Sequence, residues 1–294
     1  MNHRVLLQQT ISLTLIVLLL TGCGGTLAEL TVTPIPTPDH STLAADKRAG
    51  IPASDQDFVV YTVPGMDQVT LANIEYRDGL TMDVYYPPDF DFTQNLPVVI
   101  FANGFADERL QKKRGAKLKD YGPYISWGQL IAASGIIAIA YETHDPEVNI
   151  HDLINYTRAN GPWLRINEDR ICLWSCSANS ATALYALTDT SAEYRDSLAC
   201  AVIYYGATSF EGITYTEQGL SADIPLFIVK AGRDDPSLNR EIDDLVEQVR
   251  EANVPLEFVD YEDGVHAFDL FQDTDESREI IKQTLEFIKT HLQE

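Results

Sequence analysis

The stretch Ser175-Cys176-Ser177-Ala178-Asn179-Ser180 follows a short apolar run, Ile171–Trp174, and precedes the helix-forming segment Ala181–Leu187. A strand, a tight turn of small residues and a helix can hold one side chain strained at a sheet edge, with the helix N-terminus aimed at it. A serine held that way becomes a nucleophile when a neighbouring base removes its proton and a third group fixes that base's tautomer. The residues two before and two after the central one must be small, because strand and helix cross closely there. Ser177 has Ser175 and Asn179 in those places, whereas Cys176 would have Trp174 behind it and Ser175 would have Leu173. Ser177 is therefore the candidate nucleophile. The competing reading is a polar turn whose serine only caps the helix.

On these residues, and on their place after the fifth expected strand, the chain resembles the α/β-hydrolase superfamily over roughly residues 67–294. It is most similar to the dienelactone-hydrolase-like and esterase-like members. The family pattern Gly-x-Ser-x-Gly is altered, because Ser175 and Asn179 replace both glycines. The resemblance implies the chain order Ser, then Asp or Glu, then His. His266, in Glu262-Asp263-Gly264-Val265-His266-Ala267-Phe268, resembles the family's Gly-x-His-x-Phe loop and is the expected general base; His3, His40 and His291 are poorly placed. Two aspartates compete for the acid in Lys230-Ala231-Gly232-Arg233-Asp234-Asp235-Pro236. The common spacing Gly-x-x-Asp points to Asp235, and the Gly-Arg-Asp arrangement before a polar residue and Pro points to Asp234. We take Asp234 as the expected acid with Asp235 as its rival, either of which could instead cap the next helix. The resemblance also implies an oxyanion hole built from the backbone N–H groups of Ala178 and of Phe105, the latter in Ile100-Phe101-Ala102-Asn103-Gly104-Phe105, where Asn103 stands in place of the family's His. One such donor contributes about 3–4 kcal/mol to the barrier. An imidazole base must be neutral to act, so activity is expected to fall on acidification through roughly pH 6–7.

These groups need a scaffold. Val69–Tyr76 and Leu80–Tyr86, separated by Asp78-Gly79, alternate polar and apolar as a hairpin with one solvated face should. Val98–Ala102, Ile136–Tyr141, Ile171–Trp174, Ala201–Tyr205, Leu226–Val229 and Leu256–Tyr261 are mostly short apolar runs, as strands covered on both faces should be. Ile242, Leu245, Val246 and Val249 recur at helix spacing, as do Ile281, Leu285, Ile288 and Leu292. The expectation is an α/β fold, with a mostly parallel eight-stranded sheet, an antiparallel start and helices on both faces. Open sheets of this kind carry their functional groups at the strands' carboxyl ends.

The chain has 294 residues, 45% of them hydrophobic, and a formal net charge of −23. That charge argues against nucleic acid as a partner, since phosphate backbones are held by Lys and Arg. Ile11–Leu20 is too short an apolar run for a spanning helix and ends in Leu20-Thr21-Gly22-Cys23, which resembles the bacterial lipoprotein lipobox. The resemblance implies a signal peptide over 1–22, acylation of Cys23 and durable attachment to a lipid bilayer outside the cytoplasm. Residues 23–57, with Pro34, Pro36 and Pro38, read as a tether, leaving 58–294 as the catalytic domain. The remaining cysteines, Cys172, Cys176 and Cys200, show no Cys-x-x-Cys pairing and read as buried free thiols.

Two charged clusters need weighing. His144, Asp145, Glu147 and His151 follow no recognised metal-ligand spacing and read as a solvated helix entry, with His144 at a strand end facing substrate as the rival reading. Arg109, Lys112, Lys113, Arg114, Lys117 and Lys119 place six of the 21 cations within eleven residues. We read them as a solvated loop balancing an acidic body, with a flap for acidic substrates as the rival. Tyr204, Tyr205, Phe105 and Phe268 are candidate pocket walls, and Ala207–Ile224 is the only room for a cap. The reading that results is a lipid-anchored serine hydrolase of carboxylic esters in the bacterial cell envelope, needing no metal or organic cofactor. Its rival is a catalytically silent version of the same fold that only binds.

Overall fold

A computed structural model of the protein describes residues 58–293. The expected signal peptide, Cys23 and the tether lie outside the described residues.

Eight strands form one sheet in the order β1-β2-β4-β3-β5-β6-β9-β10. They are β1 (Thr70–Arg77), β2 (Leu80–Tyr86), β3 (Leu96–Phe101), β4 (Ile137–Tyr141), β5 (Ile166–Cys176), β6 (Leu198–Tyr204), β9 (Leu226–Ala231) and β10 (Leu256–Tyr261). β1 and β2 pair antiparallel, β2 and β4 pair antiparallel, and every pairing from β4 to β10 is parallel. Between β6 and β9 a small hairpin, β7 (Ser209–Phe210) and β8 (Ile213–Thr214), forms a sheet of its own. Parallel strands need crossovers, and the helices that make them cover both faces. One apolar cluster packs the sheet against Gly122–Ala133 and Asp275–Gln293, through Trp127, Leu130, Ile281 and Ile288. The other packs it against Pro146–Ala159, Ser180–Thr188 and Pro236–Glu251, through Ile150, Leu184, Ile242 and Leu245.

The expected strands and helices are all present, and one expectation needs correction. β1 alternates buried and exposed positions, but β2 is buried on both faces apart from Thr81. Met82, Val84 and Tyr86 enter one core cluster and Tyr85 the other, because β2 lies between β1 and β4 rather than at an edge. The polar residue among them, Asp83, is 1% exposed and meets Lys119 at 3.2 Å.

Candidate active site

Because β3, β5, β6, β9 and β10 lie side by side and parallel, the segments leaving their carboxyl ends gather along one sheet edge. The loops after β9 and β10 are tied to each other. Gly232 N donates to Tyr261 O at 2.8 Å, and Arg233 N donates to Gly264 O at 2.8 Å. In the frame this makes, Asp234 Oδ2 lies 2.6 Å from His266 Nδ1. The Asp234 side chain is 6% exposed and that of His266 is 41% exposed, so the carboxylate sits beneath an accessible ring. Asp235 takes the other role: its Oδ1 accepts from Ser237 N at 2.7 Å and caps helix Pro236–Glu251. Geometry thus separates the two aspartates that the sequence left in competition.

On the other arm, β5 ends at Cys176 and Ser177 has φ +50°, followed by one 3₁₀ turn, Ser177–Asn179, and helix Ser180–Thr188. A non-glycine residue in the left-handed region costs of order 1–3 kcal/mol, and the surroundings must enforce it. Here Ser177 O accepts from Ala207 N at 3.0 Å, and Ser175 is fully buried with its Oγ donating to Val202 O at 3.2 Å. Gly206 is required: a Cβ there would sit 2.6 Å from Ser180 Cβ. The segment 205–207 also reaches the other arm, since the Tyr205 ring packs on His266 with centroids 4.8 Å apart. Ser177 and His266 therefore flank the same short segment, although no Ser177–His266 hydrogen bond forms among the described residues. Such bonds are commonly long without substrate and tighten when it is bound.

The backbone amides of Gly104 and Phe105, after β3, are held by side-chain carboxamides. Phe105 N donates to Asn103 Oδ1 at 3.0 Å, an Asx turn, and Gly104 N donates to Asn179 Oδ1 at 2.8 Å. The expected oxyanion donor Phe105 N–H thus already has an acceptor, which an incoming anion must replace or share. Asn103 is itself anchored, its Nδ2 donating to Asp107 Oδ2 at 3.2 Å and to Tyr141 O at 3.3 Å. Asp107 accepts from Leu118 N and Thr143 N, each at 2.7 Å. Burial pushes its pKa up to about 6, against the pull of those two amides.

Sequence reading missed a buried polar network behind the elbow. Asp269, 1% exposed, accepts from Tyr205 Oη at 2.5 Å and from Trp127 Nε1 at 2.8 Å. Burial raises its pKa, while the Tyr205 and Trp127 hydrogen bonds oppose the rise. Burial likewise pushes the Cys176 thiol up to about 12, helped by the nearby Asp269. The signal available was a lone carboxylate between Phe268 and Leu270, in a segment that otherwise reads as core.

The other candidates resolve as follows. Asp145 caps helix Pro146–Ala159, and the two histidines diverge: His144, largely exposed, pairs with Glu108 at 3.0 Å, and His151 meets Tyr194 Oη at 3.0 Å. Among the described residues no group of His, Cys, Asp and Glu could hold a metal ion, and no helix is long and apolar enough to cross a membrane. The basic segment is not one solvated loop. It forms helix Asp107–Arg114 and a 3₁₀ turn, and it buries Lys119 against Asp83 and Glu142 while Lys117 meets Glu142 at 2.7 Å. Burying two carboxylates in β2 and after β4 requires cations beside them. Phe268 and Tyr204 are core rather than pocket wall, both 0% exposed. Phe105 is half-buried and lies edge-on to Phe210 of the β7–β8 hairpin at 4.9 Å. Within that hairpin Glu211 meets Arg109 at 2.8 Å.

Comparison with solved structures identifies the fold. An α/β-hydrolase enzyme, MGS-M1, from a Medee basin deep-sea metagenome library superposes with a TM-score of 0.60 at 18% identity, covering 77% of this chain and 99% of that one. An esterase from the fungus Rhizomucor miehei gives 0.61 at 16% identity, covering 87% and 93%. The thermophilic esterase Est2 of the planctomycete Thermogutta terrifontis gives 0.56 at 16% identity, covering 77% and 94%. The fold is the α/β-hydrolase fold. In sequence, residues 186–292 of this α/β-hydrolase-fold chain match the Dienelactone hydrolase family. That span holds Asp234 and His266, while Ser177 and Phe105 lie upstream of it. No curated protein matches the chain.

Proposed function

We propose that the chain is a serine hydrolase of carboxylic esters. The observation that carries this reading is the 2.6 Å contact between Asp234 and His266, joined through residues 205–207 to the turn that holds Ser177 at φ +50°. The buried carboxylate fixes the imidazole tautomer, with Nδ1–H on Asp234, and leaves Nε2 free to take the Ser177 proton. Ser177 Oγ then attacks the acyl carbon, and the Ala178 and Phe105 amides receive the oxyanion. His266 returns the proton to the leaving alcohol, and water, activated by the same ring, frees the acyl-enzyme. The match of residues 186–292 to the Dienelactone hydrolase family and the esterase folds support ester chemistry. The lipobox-like Leu20-Thr21-Gly22-Cys23 supports acylation at Cys23 and a lipid-anchored, extracytoplasmic place in the bacterial cell envelope. One observation favours the silent alternative, the Asn103 carboxamide already on Phe105 N–H.

The test is labelling of the full-length protein with a fluorophosphonate and mapping of the adduct by mass spectrometry, beside hydrolysis of p-nitrophenyl acetate. Modification at Ser177 together with turnover, both abolished in Ser177→Ala, is the expected result. A folded protein that takes no label and turns over no ester would overturn the hydrolase reading and favour the binding role.

A further inference from the structure

The elbow glycine that the family uses is here Asn179, 4% exposed, and its carboxamide reaches two elements distant in sequence. Gly104 N–H can only donate, so the atom 2.8 Å from it must be Oδ1, and Nδ2 then faces Tyr124 Oη at 2.6 Å. Tyr124 lies on helix Gly122–Ala133, with its hydroxyl 3.8 Å from Cys176 Sγ directly before the nucleophile. One side chain therefore joins the turn that carries Ser177, the segment that carries Phe105 N–H, and the helix packed behind both. The approach is close enough that a Cβ on Gly104 would lie 3.1 Å from Ala178 O and 3.2 Å from Asn179 Cα.

We propose that Asn179 is a positioning residue that locks the two halves of the oxyanion hole at a fixed separation, in place of the bare close packing a glycine provides. The proposal rests on the ester-hydrolase reading above for its catalytic consequence but not for the clamp itself. Ala178 and Phe105 sit on different chain segments, and an oxyanion must meet both amides at about 2.7–3.1 Å. Asn179 holds the Asn103–Gly104 peptide, one before the peptide that carries Phe105 N–H, and so ties the Phe105 segment to the turn that carries Ala178. Because the bond spans the site rather than touching substrate, it acts on the anionic transition state more than on ester binding.

Two readouts on the full-length protein test this. The first is amide hydrogen exchange of the segment around Gly104 in wild type and Asn179→Gly. The clamp predicts at least tenfold faster exchange in the variant with the melting temperature of the domain little changed; unchanged exchange overturns the proposal whatever the enzyme does. The second is steady-state hydrolysis of p-nitrophenyl butyrate. Asn179→Gly should lower kcat about tenfold or more with KM within about twofold, while the fluorophosphonate endpoint at Ser177 stays at one per chain. Asn179→Asp places a carboxylate one peptide from the oxyanion and should lower kcat further. Tyr124→Phe, which leaves Oδ1 on Gly104, should lower it less. A merely structural role would instead lower the melting temperature and the labelling endpoint together and raise KM, and that pattern overturns the proposal. If wild type neither labels nor hydrolyses but Asn179→Gly still exchanges faster, the clamp stands and the ester-hydrolase reading falls.

Discussion

The two arms of the site are built differently. The β9–β10 arm, with Asp234 and His266, lies inside the span that matches the Dienelactone hydrolase family, and its acid–imidazole contact is already made. The β3–β5 arm, with Phe105 and Ser177, lies upstream of that span and replaces two expected glycines and a histidine with Ser175, Asn179 and Asn103. Each replacement carries a hydrogen bond that its counterpart in the family pattern is not required to make: Ser175 to β6, Asn179 to Gly104 and Asn103 to Phe105. Ser175 and Asn179 are both buried at this turn without a glycine in either place. Short polar side chains are accommodated there when their polar atoms find partners in the gap they fill.

The largest effect is expected in the β9–β10 arm. Asp234→Asn should cost on the order of 10⁴ in kcat, by releasing the wrong imidazole tautomer, with little change in melting temperature. A kcat within tenfold of wild type would show that the acid–imidazole contact is structural only.

On the rebuilt arm, Asp107→Asn should destabilise the fold by about 1–3 kcal/mol, because each oxygen of Asp107 accepts a backbone N–H and one would become an amide NH₂ facing a donor. Its pH dependence has a definite sign. The folded-state pKa of about 6 lies above the ordinary carboxyl value of about 3.9. This group's contribution to stability is therefore complete below about pH 4 and is lost as pH rises through 6. The wild-type-minus-D107N difference in melting temperature should widen from pH 7 down to pH 4, as thermal denaturation at a series of pH values will show.

A smaller effect separates the neighbouring aspartates. Asp235→Ala removes a helix cap and should cost about 0.5–2 kcal/mol by chemical denaturation, leaving kcat within about twofold. Arg109→Ala should do least: its pair with Glu211 is exposed at both ends, so stability should shift by less than about 1 kcal/mol, and only the salt dependence of kcat/KM should change if the hairpin borders the substrate path.

Much of the scaffold was legible because burial on both faces leaves runs such as Val98–Ile100 and Ile171–Leu173 with no polar positions, and because Ile242, Leu245, Val246 and Val249 repeat at helix period. β2 was misread as half-solvated, since Thr81 and Asp83 look like an outward face when the ion cluster that receives Asp83 comes from residues 117–142. The basic segment was misread for the same reason seen from the other side.

The strands themselves, the strand–turn–helix segment around Ser177 and the chain order of Ser177, the aspartate pair and His266 are legible in the chain alone, because each depends on residue size, period or neighbours within a few positions. Which aspartate meets the ring, where Lys119 hides its charge and what Asn179 holds depend on atoms 32, 36 and 75 positions apart. Those contacts are set only when parallel strands bring their ends to one edge, and hydrogen bonds act over about 3 Å in space, with no regard for distance along the chain.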